Sequence, residues 1–85
     1  MARPAPKRSL SDLTRFIVSH LVEDPESVVV EEELEDGELV LYVDVPEEER
    51  GAIIGRQGRT IRAIELVVRA AAGEGPVPTI EVAQG

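Results

Sequence analysis

Residues 51–61 read Gly51-Ala52-Ile53-Ile54-Gly55-Arg56-Gln57-Gly58-Arg59-Thr60-Ile61. Two glycines, Gly55 and Gly58, bracket an arginine and a glutamine, and isoleucines flank the group on both sides. An isoleucine-rich turn of helix leads in. A second helical pattern, Ile61 to Ala72, leads out, with Ile61, Ile64, Val67, Val68 and Ala71 at the spacing of an inner face. A link this short between two helices needs backbone with φ > 0, or an approach too close for a Cβ, and glycine permits both. At the start of the second helix the N–H groups of Gly58 and Arg59 are expected to face outward with the positive end of the helix dipole, beside Arg56. The product is a small positive cradle suited to a phosphate. The plainer reading is a tight turn whose glycines only relieve strain, but such a turn has no need of two long polar residues at Arg56 and Gln57.

Working outward toward the N-terminus, Pro46 starts the short helix that feeds this corner. Glu47, Glu48 and Glu49 complement the positive end of its dipole. Leu39 to Val45 is a β-branched and apolar strand. Asp36-Gly37 before it is a strong hairpin turn, and Val28 to Leu34 is the partner strand. Its glutamates, Glu31, Glu32 and Glu33, read as a solvated edge that discourages aggregation rather than as a metal site. Further back, Ser9 is a plausible N-cap with Asp12 three residues on. Leu10, Leu13, Phe16, Ile17 and Leu21 follow at helical spacing, predicting a helix from Leu10 to Glu23 that ends at Asp24-Pro25. His20 sits in it as a surface or boundary residue. Toward the C-terminus, Gly73-Glu74-Gly75-Pro76 breaks the second corner helix, and Val77 to Val82 is a last strand. The order is helix, strand, strand, helix, helix, strand. It predicts an α+β domain in which three helices pack a three-stranded sheet.

With 85 residues the chain holds one domain, read as residues 9–85 behind a flexible basic arm, Met1 to Arg8. The absence of cysteine excludes a disulfide framework and a Cys-based zinc site, and the single histidine excludes a multi-His metal site. No unbroken apolar run follows the basic N-terminus, since Asp12, Arg15 and His20 interrupt the next segment. A signal peptide or membrane span is therefore not expected, and a soluble cytoplasmic protein is. The net charge of −8 argues against a simple polyanion binder, but the distribution matters more than the sum. Glu23 to Glu49 contains thirteen acidic residues and no basic one, whereas Gly51 to Ala72 carries Arg56, Arg59, Arg62 and Arg69 against Glu65 alone. Glu65 is spaced to pair with Arg62 or Arg69.

The phrase Ile53-Ile54-Gly55-Arg56-Gln57-Gly58-Arg59-Thr60-Ile61 resembles the signature of the KH domain, a nucleic-acid-binding module whose GxxG loop clamps a run of backbone nucleotides. The element order, with its extra helix at the N-terminus, resembles the prokaryotic (type II) KH arrangement. Leu13-x-x-Phe16-Ile17-Val18, the acidic Val28-Val29-Val30-Glu31-Glu32 and the glycine block through Arg62-Ala63-Ile64 are together similar to the small single-KH bacterial proteins of the KhpA family, across roughly Leu10 to Val82. That resemblance implies a cytoplasmic RNA-binding protein, an RNA chaperone in some bacteria. It also implies a homodimer, or a pair with a second KH protein of the KhpB (Jag) type, in work tied to cell division and envelope growth.

On this reading the ligand is single-stranded RNA and no cofactor is implied. Ile54, Gly55, Arg56, Gln57, Gly58, Arg59, Ile61 and Arg62 form the site. Gly55 and Gly58 admit the phosphates, Arg56 supplies charge and a fork of donors, and Gln57 adds neutral hydrogen bonds. Ile53, Ile54 and Ile61 are candidates for an apolar floor under the bases or, equally, for plain core, and Val43 and Val45 for an opposite wall. Phe16 and Tyr42 are the only aromatic residues, so an aromatic stacking platform is absent, and weak binding with loose sequence preference is expected. The competing reading is a protein–protein adaptor on the same scaffold. An enzyme fares worst, because the chain offers no nucleophile–base pair, metal constellation or Walker-type loop.

Overall fold

The computed structural model describes residues 9–83, so the basic arm, Met1 to Arg8, lies outside the described residues. The element order is α1 (Leu10–Ser19), a 3-10 turn (Pro25–Ser27), β1 (Val29–Glu35), β2 (Glu38–Asp44), α2 (Glu47–Ile54), a second 3-10 turn (Arg56–Gly58), α3 (Arg59–Ala72) and β3 (Pro78–Val82). The sheet runs β1-β2-β3, with β1 antiparallel to β2 and β3 parallel to β2. The parallel pair encloses both corner helices in one crossover, as parallel strands require.

Local chemistry explains most boundaries. The Ser9 side chain accepts from the Ser11 and Asp12 N–H groups and starts α1. Asp36 and Gly37 have φ of 51° and 82°, the two positive values of a type I′ hairpin turn, which sets Glu35 opposite Glu38. Pro46 is the N-cap of α2 rather than its first residue. α1 stops four residues short of the expected Glu23. The Ser19 hydroxyl and His20 Nδ1 both donate to the Phe16 carbonyl, at 2.9 and 2.7 Å. The His20 and Leu21 N–H groups meanwhile reach back to Ile17 and Val18. Side chains thus compete for the carbonyls that would extend the helix, and the chain turns so that Val22 is buried.

Register decides what each face of the sheet carries. Val30, Val43 and Val82 align across the three strands, as do Leu41 and Ile80. This face meets the helices, and Leu41, Val43 and Ile80 pack with Val18, Ile53, Ile64 and Val68 in the core. A pleat apart, Glu31, Tyr42 and Glu81 align, as do Glu35 and Glu38. All the carboxylates on that second face are exposed, so side-chain alternation turns Glu31, Glu33 and Glu35 away from the core. Glu32, opposite Leu41, falls instead on the helix-side face, where it stays exposed and accepts from the Ser9 hydroxyl at 3.3 Å.

α3 buries Ile64 and Val68 fully and Ile61 partly, but Val67 is 53% exposed and Ala71 is also exposed. The expected inner face is therefore narrower and rotated. A contiguous apolar strip, Ala63, Leu66, Val67, Ala70 and Ala71, faces outward instead. Glu65 resolves its choice of partner in favour of Arg69 (3.3 Å) and uses its other oxygen to accept the Ile80 N–H at 2.8 Å. Arg69 Nε in turn donates to the Pro78 carbonyl at 3.0 Å. Two α3 side chains thereby occupy backbone groups of β3, an edge strand that would otherwise invite pairing with another chain. Glu65→Ala should lose roughly 1–2 kcal/mol, the usual effect of orphaning a half-buried backbone donor, and urea unfolding would measure it. A loss indistinguishable from zero would mean that water replaces the carboxylate.

Candidate nucleic-acid interface

The last N–H of the first corner helix, that of Gly55, donates to Gly51 at 2.8 Å and closes α2. The chain then makes one 3-10 turn and enters α3. Gly55 has φ 76° and ψ 172°, a region essentially closed to other residues. A Cβ placed there would lie 2.1 Å from Thr60 Oγ1 and 2.8 Å from the Thr60 backbone nitrogen. Thr60 occupies the space that Gly55 leaves. Gly58 has φ 75° and ψ 17°, but a Cβ there would meet nothing nearer than Arg62 Nη2 at 3.8 Å. The two glycines are therefore needed for different reasons: Gly55 for close approach and conformation, Gly58 for conformation alone. Between them Gln57 is also left-handed, with φ 57° and ψ 25°.

The backbone donors of the corner differ from expectation. Gly58 N–H donates to Gly55 O at 3.1 Å, and Arg59 N–H donates to Arg56 O. Both are engaged within the turn. Arg56 and Gln57, the first two residues of that turn, are the ones whose N–H groups have no acceptor among the described residues, as the start of any helical turn dictates. The available donors are thus shifted two residues toward Gly55.

The side chains of Arg56, Gln57, Arg59 and Arg62 are all exposed, and among the described residues the only ion pair is Arg69 with Glu65. The corner's arginines are therefore not locked into internal ion pairs. Arg59 Nη2 donates to Gln57 Oε1 at 3.3 Å. Arg62 donates from Nε to the Gly58 carbonyl (3.3 Å) and from Nη2 to the Gln57 carbonyl. Ile54 and Ile61 are half-buried beside the corner. Ile53, Val43 and Val45 are 0, 0 and 3% exposed. The apolar floor therefore reduces to Ile54 and Ile61, and the opposite wall drawn from Val43 and Val45 is core. Thr60, to which the sequence reading assigned no role, is the residue that shapes the corner. Its only signal in the sequence is a small side chain five residues after the first glycine.

Charge is segregated. Glu31, Glu33, Glu35, Glu38, Asp44 and Glu81 share the sheet face turned away from the helices. Glu47 and Glu48 stand at the far end of α2, about 12 Å of helix from Gly55, beyond a Debye length of roughly 8 Å at physiological salt. The acidic face has its own signature. The Tyr42 hydroxyl donates to Glu35 Oε2 at 2.8 Å. That bond, with desolvation of the phenol and the charges of Glu35, Glu33 and Glu81, holds the phenol's proton and pushes its pKa from 10.0 to about 12. Tyr42 is the only tyrosine, so ultraviolet tyrosinate titration reads it alone. The native protein should titrate near 12, and Glu35→Gln should return the midpoint toward 10. Because the unfolded chain releases this proton first, the associated stability is present below pH 10 and is lost as pH rises toward 12. A native midpoint at 10 would show that the hydrogen bond does not persist.

A mixed three-stranded sheet packed by helices in the order α-β-β-α-α-β, with a glycine-bracketed corner between α2 and α3, defines a type II KH domain. The KhpA/KhpB KH-domain profile matches residues 11–77, and the chain belongs to that family. This is a family of RNA-binding KH domains, not of enzymes. The chain is 41% identical over 63 residues to RNA-binding protein KhpA of Clostridium perfringens, covering 74% of this chain and 84% of that protein. It is 37% identical over 73 residues to RNA-binding protein KhpA of Thermotoga maritima, covering 86% and 97%. Against RNA-binding protein KhpA of Bacillus subtilis it is 40% identical over 62 residues, covering 73% and 76%. No solved structure matches the chain significantly. No helix among the described residues is long and apolar enough to cross a membrane, and no group of three metal-ligating side chains occurs among them.

Proposed function

We propose that this chain binds single-stranded RNA by gripping its phosphates at the Gly55–Gly58 corner. The observation that carries this reading is the corner's composition. It presents two unpaired N–H groups, of Arg56 and Gln57, next to the exposed side chains of Arg56 and Arg59, on a part of the molecule separated from the acidic sheet face. Phosphates need donors and positive charge at close range, and both are present without competing carboxylates. Ile54 and Ile61 supply apolar contact for bases. Phe16, in α1, packs its ring at a 57° tilt against that of His20 just beyond the helix, with centroids 4.6 Å apart, and Tyr42 lies on the acidic face. Neither belongs to an element of the corner, so base recognition is weak and loosely sequence-selective. That profile suits an RNA chaperone acting on many transcripts in the cytoplasm.

Leu66 and Val67, 67 and 53% exposed on the outward strip of α3, support self-association or pairing with a second KH chain. Two corners on one assembly would raise the effective concentration of each for the same RNA. The same strip favours the second reading, in which the scaffold is a protein–protein adaptor and the corner does not bind RNA.

Fluorescence anisotropy with a labelled single-stranded RNA pool, run alongside light-scattering mass, separates the two. Two exposed guanidinium groups without a carboxylate partner, those of Arg56 and Arg59, predict a log–log salt slope of about −1.4 for single strands, or roughly a sevenfold fall in affinity between 50 and 200 mM salt. An oligomeric mass with no RNA binding at either salt would leave only the adaptor.

A further inference from the structure

We propose that Arg62 is a positioning residue that braces the corner in its binding conformation, rather than a direct phosphate ligand; the proposal rests on the RNA-binding reading above. Gln57 and Gly58 are two successive left-handed residues, with φ of 57° and 75°. For Gln57 this conformation is unfavourable, because its Cβ crowds the following carbonyl. Such a residue persists only where its surroundings over-determine it. Here one guanidinium does so. Arg62 sits one turn into α3 and donates from Nε to the Gly58 carbonyl and from Nη2 to the Gln57 carbonyl. Arg59 holds the other end of Gln57 through its side-chain oxygen. The planar fork of arginine can serve two neighbouring carbonyls at once from a rigid helix, which a lysine ammonium on a flexible stem cannot do with the same geometry. The consequence for function is preorganisation. With Gln57 pinned, the Arg56 and Gln57 N–H groups are already without an internal acceptor before the ligand arrives, and binding does not have to order them.

Arg62→Lys keeps the charge and removes the fork, while Arg62→Ala removes both. Two readouts are taken. In the RNA-free protein, hydrogen exchange is followed at the Gly58 and Arg59 amides, whose bonds to Gly55 and Arg56 close the turn. Affinity for a labelled single-stranded RNA pool is then measured at two salt concentrations. The brace predicts faster exchange at both amides in both variants, with the thermal midpoint moved by only a few degrees. It predicts an affinity loss of about fivefold to thirtyfold in Arg62→Lys, the scale of one left-handed residue no longer held, with the wild-type salt slope retained. A lysine variant that binds like wild type, with only the alanine variant weakened and its slope shallower by about 0.7, would identify Arg62 as a phosphate contact and overturn the brace. Unchanged exchange in Arg62→Lys, or faster exchange with no loss of affinity, would overturn it equally. If the wild-type protein fails to bind RNA, the functional reading falls, and the exchange data still decide whether Arg62 holds the turn.

Discussion

Gly55→Ala is expected to destabilise the protein by on the order of 3 kcal/mol, whereas Gly58→Ala loses only about 1 kcal/mol. The asymmetry is not visible in the symmetric spelling of the motif. At Gly55 two penalties coincide. The conformation, φ 76° and ψ 172°, is one that non-glycine residues hold at roughly 1–3 kcal/mol. The added Cβ would also lie 2.6 Å from Thr60 Cβ and 2.8 Å from the Thr60 nitrogen. Backbone cannot yield without shifting the first turn of α3, and overpacking of this kind adds roughly 1–3 kcal/mol. At Gly58 the space is open and only the left-handed conformation is penalised, by roughly 1–2 kcal/mol. A domain of this length holds roughly 4–13 kcal/mol in total, and about 1 kcal/mol moves the midpoint by 4–8 °C. Gly55→Ala should therefore melt at least about 12 °C below wild type, and Gly58→Ala within about 8 °C of it. Thermal unfolding by circular dichroism reads both. Equal losses at the two positions would show that Thr60 moves aside freely and that the close approach is not a constraint.

Arg56→Asp combined with Gln57→Asp is expected to reduce RNA affinity by more than about 100-fold while leaving the fold intact. Both side chains are exposed, and aspartate tolerates the left-handed conformation found at position 57 better than most residues. The change therefore acts on the ligand rather than on the core. It removes the Arg56 guanidinium and places two carboxylates beside the two unpaired N–H groups. Each lost charge-assisted hydrogen bond is worth roughly 1.5–3 kcal/mol, and every 1.4 kcal/mol is tenfold in affinity. The surviving salt slope should be shallower, because fewer phosphates are neutralised. Retained affinity in a folded double variant would place RNA elsewhere on the molecule, and the corner would revert to a structural turn.

The two expectations separate shape from charge. Gly55 and Thr60 make the corner possible; on the proposed reading Arg62 braces it and Arg56 with Gln57 faces the ligand. The acidity of the chain, which at first argues against a polyanion partner, is reconciled by placement. Strand register directs Glu31, Glu33, Glu35 and Glu81 to the sheet face away from the helices, and residues 55–62 carry arginines and no carboxylate.

What could be read from residue order alone was local. The Ser9 cap, the Asp36-Gly37 turn and the two glycines each act through neighbours within a few positions, so the succession of elements and the corner itself were legible without coordinates. The family likeness rests on the same contiguous residues. The remainder was decided partly by contacts between distant residues and partly by local hydrogen bonds that periodicity does not reveal. β3 pairs parallel to β2, and register alone separates an acidic face from a buried one. α1 ends at Ser19 because Ser19 and His20 capture the Phe16 carbonyl. Val43, Val45 and Ile53 went to the core, although their sequence positions equally suited a binding wall. At the corner, the engaged donors proved to be those of Gly58 and Arg59, and the unpaired ones those of Arg56 and Gln57. Periodicity says which side of a helix or strand is apolar. It does not say which neighbour a given N–H, carboxylate or guanidinium will meet, because that depends on where the rest of the chain has been brought in space.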